Sequence, residues 1–249
     1  INHQYLESGS RYPTTPAPLA PAIAGNVAGI EKVSRLRRCA TFAFKAGENM
    51  FLEELGATAD PELFDIFSFK VLSGNPKEAL LTADNIVVTQ SLAKRYFGEE
   101  NALDQQLTLE GEGEVTVKAV IEDLPPNSHI QFDYLLSHKF AEQYRLCGLG
   151  WGDPNFLTYI KTVENSNITN IHAAITQVAM ENKAPHIFYG SAVYNIRPLA
   201  NIYLDHEVEN RIGESGDKRS IITFGTIGLL ILLLACINYI NLSISLFTK

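Results

Sequence analysis

Six histidines, three cysteines and 28 acidic side chains are the groups in this 249-residue chain whose types suit chemistry. The histidines are His3, His129, His138, His172, His186 and His206. None stands in the H-E-x-x-H or related spacing that sets two imidazoles on one helix face around a metal. His129, in "PNSHIQF", reads as a turn residue hydrogen-bonded locally. The neighbouring carboxylates Glu53–Glu54 and Glu99–Glu100 read as solvated surface, not as the opposed acid and base of a glycoside hydrolase. No G-x-S-x-G elbow and no Walker A sequence occurs. "CGLGWGD" (147–153) imitates a phosphate loop, but it lacks the third glycine of the dinucleotide fingerprint and no helix-forming sequence follows it. The expectation is a chain with no catalytic site, no cofactor and no metal.

The cysteines are Cys39, Cys147 and Cys236. Cys236 lies in an apolar tail. Cys39 and Cys147 are the two that an oxidising compartment would let pair, with free thiols the expected state. Every Asp and Glu precedes Ser220, and Lys249 is the only charge after Arg219. Without Lys249 the chain has 19 bases against 28 acids, a net of −9. Such a domain lacks the clustered cations that phosphate contacts need, so no nucleic-acid partner is expected. The acidity serves solubility. The chain opens on Ile1 rather than Met, which reads as a piece of a longer protein.

The elements that must carry these residues alternate between strands and helices. Thr14 or Thr15 caps a short helix with Pro16 in its first turn, and Leu19, Ile23 and Val27 form its apolar face. "IEKVSRLRRCATFAFKAG" reads as one strand, with a partner over Glu48–Ala59. Asp60 and Pro61 open another helix. "NIVVT" is a compact strand, and "SLAKRYFG" a helix from Gln90 or Ser91 stopped at Gly98. "QQLTLEGEGEVTVKAVIEDL" is a hairpin turning through Gly111–Gly113, and "IQFDYLLS" a further strand. "NFLTYIKTV", then an amphipathic helix with Ile168, Ile171, Ile175, Val178 and Ala179, then "SAVYNIRPLANIYL" make a βαβ-type succession. The class is α+β.

Ile221–Phe247 carries no charge and exceeds the roughly 20 apolar residues that cross a bilayer core. It reads as a transmembrane helix, against the alternative of a buried core helix. Asn238 and Asn241, three apart, share a face that turns to another helix, to the headgroups or to the membrane exit. Gly225 and Gly228 allow close backbone approach. Lys218 and Arg219 before the helix would, by charge alone, place the large domain in the cytoplasm.

Several blocks, in order, resemble the MacB-like, FtsX-like permease subunits of ABC transporters. They are "TPAPLAPAI" (15–23), "FDIFSFKVLSGNPKEALLTADNIVVTQSLAKRYFGEENAL" (64–103), "VIEDLPPNSHIQFDYLLS" (120–137), "IRPLANIYL" (196–204) and "ACINYINLS" (235–243). The style is similar to permeases of Bacteroidetes-type bacteria. After "YFGEENAL" the family usually has a glycine and a basic residue, where Asp104 and Gln105 stand here. The resemblance implies a two-lobed periplasmic core domain: a membrane-proximal lobe over 1–66 and 154–220, an inserted strand-rich outer lobe over 67–153, then the transmembrane helix 221–247. It places residues 1–220 in the periplasm of a bacterium with the helix in the inner membrane, against the local charge signal. It implies a non-catalytic part that couples cytoplasmic ATP hydrolysis to a periplasmic change, for export or extraction of an antibiotic, peptide, lipid or lipoprotein. Its partners would be an ABC ATPase subunit or domain, a second permease copy, the lipid bilayer, and a periplasmic adaptor with an outer-membrane channel. The alternatives are an FtsX-like signalling module acting on a periplasmic partner, and a membrane-anchored hydrolase with a dispersed site.

Overall fold

The computed structural model describes residues 1–5, 11–146, 148–182, 192–202 and 218–247. In chain order the elements are β1 (Asn2–Tyr5), β2 (Arg11–Tyr12), α1 (Leu19–Ile23), β3 (Ile30–Arg38), β4 (Phe42–Ala46), β5 (Asn49–Glu53), β6 (Gly56–Ala59), α2 (Leu63–Ile66), β7 (Val71–Gly74), α3 (Pro76–Ala79), β8 (Asn85–Thr89), α4 (Gln90–Phe97), β9 (Gln106–Leu109), β10 (Gly113–Ile121), β11 (Tyr134–Ser137), α5 (His138–Gln143), β12 (Leu157–Thr162), α6 (Ile168–Glu181), β13 (Ala192–Asn195) and α7 (Lys218–Phe247). Ten of the strands form one mixed sheet in the order β12-β3-β6-β11-β8-β10-β9-β4-β5, with β7 pairing β10. A small antiparallel sheet, β13-β1-β2, holds the rest. The α+β class expected from the sequence is the class observed.

The middle of the large sheet is covered on both faces, which is why β8 and β11 are apolar almost without alternation. Ile86, Val88, Tyr134 and Leu136 join one core with α4 and Phe140 of α5. Val87 and Leu135 join the other core, with Leu63 of α2 and Ala79 of α3. β10 serves both cores through a register shift between Val117 and Ala119, which resets the side-chain parity. A third core joins α1 to α6 through Leu19, Ile23, Val33, Ile171 and Ile175. Val27 is buried there too, although it lies past the end of α1.

Several elements match expectation closely. α4 is capped by the Thr89 hydroxyl and ends at Gly98, whose φ of +66° is the left-handed region that favours glycine. β9 and β10 form the expected hairpin. Others differ. The long strand read from Ile30 breaks at Cys39–Thr41 into β3 and β4, which lie far apart in the sheet. Leu36, Phe42 and Phe44 keep one parity across the break, so the periodicity carries no sign of it. Its partner over 48–59 likewise divides into β5, beside β4, and β6, between β3 and β11. Thr15 does not cap a helix: its hydroxyl donates to the Phe156 carbonyl and lies 2.6 Å from the Thr158 hydroxyl. Asp60 does not cap α2 either, because Arg35 holds its carboxylate. β12, α6 and β13 occur in the expected succession, with β12 paired to β3 and β13 to β1 in the small sheet. The hairpin β4–β5 pairs at the far end of the sheet with β9, so this part of 1–66 extends the strands of 67–153.

Asp104, which stands where the resembled family has glycine, has φ +65°. The turn is therefore made, with Asp in the left-handed region it tolerates better than most residues. Its carboxylate pairs with Lys118 at 2.5 Å on an exposed surface. Asp104→Gly is expected to stabilise by up to about 1 kcal/mol in a urea titration, since the relieved backbone outweighs an exposed ion pair. Gly56 has the opposite sensitivity. A Cβ there would collide with the ring and hydroxyl of the buried Tyr134. Gly56→Ala is expected to cost about 1–3 kcal/mol by the same titration.

Candidate functional site

The residues picked out for helix packing all lie on α7. At about 1.5 Å per residue its 30 residues span roughly 45 Å. Within it, Ile222–Asn241 is long and apolar enough to cross a membrane, and no part of that stretch is buried. A soluble core helix of this length would be covered by its neighbours; this one is bare on every side. Gly225 and Gly228 have no other atom within 4 Å of a Cβ position, and Asn238 and Asn241 are exposed. At about 100° per residue, the glycine pair and the asparagine pair face directions about 140° apart. The helix thus brings each pair together but sets the two pairs on different faces and near opposite ends.

The polar groups of the folded domain gather in two clusters that the sequence reading missed. The first centres on Arg35 of β3. Its Nε and Nη2 donate to Asp60 Oδ2 and Oδ1 at 2.9 and 2.8 Å, its backbone N–H adds a third bond at 2.8 Å, and Nη1 donates to the Ala17 carbonyl at 3.2 Å. His138, at the start of α5, closes the cluster. Its Nδ1 is 2.9 Å from the Thr58 hydroxyl, and its Nε2 is 3.4 Å from the Arg35 carbonyl and 3.8 Å from Asp60 Oδ1. The carbonyl requires the proton on Nε2, so Nδ1 accepts from Thr58. The Phe156 ring stands edge-on to His138 at 5.3 Å and lies 5.8 Å from the Arg35 guanidinium. Burial pushes the Asp60 carboxyl up, but the Arg35 hydrogen bonds and charge outweigh it and hold it below the usual carboxylate range. Burial also pushes the His138 imidazole down to about 4, against the pull of Asp60.

The second cluster corrects the surface reading of Glu53. Its side chain is 2% exposed and takes both carboxylate oxygens to Arg95 Nη1, at 2.8 and 2.7 Å. The Tyr96 hydroxyl donates to Oε1 at 2.8 Å. Burial, foremost, and this bond raise the Tyr96 phenol. Glu54, Glu99 and Glu100 are exposed as expected, with Glu99 paired to Lys94. No local signal separates Glu53 from Glu54, because the partner of Glu53 lies 42 residues away.

His129 makes no turn hydrogen bond through Nε2, which is buried without a partner; the ring instead packs against Phe67 and Tyr159 at 5.8 Å each. Burial holds it below its ordinary value. His172 Nε2 is likewise buried without a partner. His186 and His206, the side chain of His3, and Cys147 with its possible bond to Cys39, lie outside the described residues. Among the described residues no group of three His, Cys, Asp or Glu could hold a metal. The Gly148–Asp153 loop leads into β12, not a helix, and its Trp151 packs on the third core. A cleft of about 290 Å³ opens between α1 and β3, and the saturated Arg35–Asp60 pair forms part of its wall. The donors and acceptors of both clusters answer one another. That geometry ties β3, β6, α5 and the chain before α1 into one body, and β5 to α4.

Comparison with known proteins gives these features a family. The MacB-like periplasmic core domain model matches residues 1–178. No curated protein sequence matches the chain. Among solved structures, a domain of a protein described as a permease from Porphyromonas gingivalis superposes with a TM-score of 0.63 at 21% identity, covering 81% of this chain and 93% of that one. The extracellular domain of the noncanonic ABC-type transporter YknZ from Gram-positive bacteria gives 0.58 at 13% identity, covering 78% and 99%. The periplasmic region of MacB from Actinobacillus actinomycetemcomitans gives 0.54 at 15%, covering 67% and 73%. At these identities the likeness is one of fold, and the match over 1–178 carries the assignment: the chain belongs to the MacB-like periplasmic core domain family, and is the periplasmic domain of a MacB/FtsX-like ABC transporter permease followed by an apolar helix.

Proposed function

We propose that this domain transmits motion rather than performing a reaction. A cytoplasmic ABC ATPase, on another domain or chain, binds and hydrolyses ATP. α7 carries the resulting movement across the inner membrane to residues 1–220 in the periplasm, where paired domains of two permease copies open or push. The cargo class is an antibiotic, peptide, lipid or lipoprotein, handed on through a periplasmic adaptor and an outer-membrane channel. One observation carries the reading: a family-matched domain, internally riveted by part-buried ion pairs, is followed by a helix long and apolar enough to cross a membrane. A rigid body moved by a membrane helix is what mechanical coupling between two global states requires.

Within this reading, 1–66 with 154–220 form the membrane-proximal lobe and 67–153 the outer lobe, the β4–β5 hairpin reaching across to the outer strands. Asn238 and Asn241 turn to a neighbouring helix or the headgroups, and Gly225 and Gly228 receive a second helix on the other face. Leu232 lies at the centre of the apolar stretch. Leu232→Arg adds about 3–4 kcal/mol to insertion. The variant is expected to shift from the membrane pellet toward the carbonate-soluble fraction, while Leu232→Ala stays in the pellet.

Coupling itself is tested with a spin label on exposed Glu100 in reconstituted full-length transporter. The distance distribution between the two copies should change on adding ATP with vanadate. An unchanged distribution, in a preparation that hydrolyses ATP, would sink the coupling reading.

A further inference from the structure

We infer that β5 is a docking edge, built to receive an extended, basic-flanked segment of a partner protein as an added strand. The inference goes beyond the transport reading and stands without it. β5 is the terminal strand of the ten-stranded sheet, and among the described residues its outer edge pairs with no strand. Exposed edges normally carry a lysine, a proline or a bulge that blocks further pairing. This one reads Asn49-Met50-Phe51-Leu52-Glu53, and pairs with β4 in unbroken register. Met50, Phe51 and Leu52 are 46, 42 and 70% exposed.

The strand is also held in place from beneath. On the face toward α4, Asn49 Nδ2 donates to the Tyr96 carbonyl at 3.0 Å. Phe51 meets the Tyr96 ring edge-on at 5.5 Å. Glu53 takes Arg95 and the Tyr96 hydroxyl. Three successive inward residues thus fix the strand to the helix, and Met50 and Leu52 are left on the opposite face with no core to fill. A buried carboxylate spent on positioning an apolar edge strand fits a surface that must stay flat and ready to pair. Backbone pairing would give the affinity and the alternate apolar positions the specificity.

Charge selects the occupant. Glu48 sits in the β4–β5 turn and Glu54 directly follows β5. Glu110 and Glu112 lie in the β9–β10 turn, which the Glu110 N–H to Ala43 carbonyl bond, 3.0 Å, lays beside β4. These four carboxylates have no ion-pair partner among the described residues, and Lys45 is the basic residue of the β4–β5 hairpin. A second copy laid edge to edge would bring Glu48 and Glu54 against their own duplicates. A segment with apolar alternation and lysines or arginines at its ends meets complementary charge at both ends of the strand.

The test uses the full chain in detergent and two labelled nine-residue peptides. Both alternate valine and threonine; one ends in two lysines on each side, the other in two glutamates. Binding is read by fluorescence anisotropy, and its place by amide hydrogen exchange. The expected result is that the lysine-ended peptide binds, slows exchange at 49–53 and weakens as salt rises. Leu52→Lys, a change at an exposed position, should weaken it about tenfold or more. Equal binding of the glutamate-ended peptide, protection that appears elsewhere but not at 49–53, or indifference to Leu52→Lys would each overturn the inference. Protection at 49–53 that grows with protein concentration and without peptide would make the occupant a second copy, and would overturn it too.

Discussion

Arg35→Ala is expected to cost about 3–5 kcal/mol of folding stability, the largest effect of any single change considered for the folded domain. The substitution leaves the Asp60 carboxylate, 18% exposed, without its cation. It also removes the bond to the Ala17 carbonyl and the guanidinium packed by Phe156. Burial then acts on Asp60 without opposition from the guanidinium, and one backbone N–H remains to hold it. Removing both partners in Arg35→Met with Asp60→Leu should recover most of the loss, because the cost lies in the stranded charge rather than in the missing pair. Urea unfolding followed through Trp151, the one tryptophan of the chain, reads both variants. A loss below about 1 kcal/mol for Arg35→Ala would mean that the cluster does not rivet β3 to β6.

Acid should weaken the domain through His138. Burial holds its imidazole down to about 4 in the folded state, against the ordinary 6.5. Between these limits the unfolded chain binds a proton that the folded chain refuses, so stability is complete above about 6.5 and falls as pH drops toward 4. That difference corresponds to roughly 3 kcal/mol over the window. Asp60 works in the same direction at lower pH: its depressed carboxyl stabilises above the ordinary carboxylate value, and that share is lost as pH falls through the folded value. His129, also depressed by burial, adds to the slope. The difference between wild type and His138→Gln isolates the first contribution. The variant should lose most of the pH dependence between 6.5 and 4 while remaining folded at pH 7.5. An unchanged slope would show that His138 charges freely in the folded state.

How far the sequence alone reaches depends on whether a signal is local. β8 and α4 were legible because a β-branched run, a Thr cap and a terminating glycine are all adjacent in the chain. The β9–β10 hairpin and α6 carry equally local marks. The break between β3 and β4 was not legible, since the apolar parity runs straight across it and only the partners, β6 and β9, pull the two halves apart. The polar clusters were illegible for the same reason. Asp60 has every local mark of a helix cap, and is claimed by an arginine 25 residues earlier. Glu53 looks like Glu54 until α4 is placed over it. The resemblance to MacB-like permeases is legible as ordered blocks, and at the departure over Asp104 and Gln105 the chain turns with Asp104 at φ +65°. Gly225 and Gly228 lie on one face of α7 and Asn238 and Asn241 on another, and all four are exposed among the described residues.

The central claim is that this chain works as the permease part of an ABC transporter, and purification of the full-length protein from its own membranes tests it most directly. Mass spectrometry of what remains bound should recover an ABC-type ATPase in stoichiometric amount, or find its domain on the same chain. Recovery of a kinase or a cell-wall hydrolase with no transport ATPase would contradict the account and assign the domain to signalling.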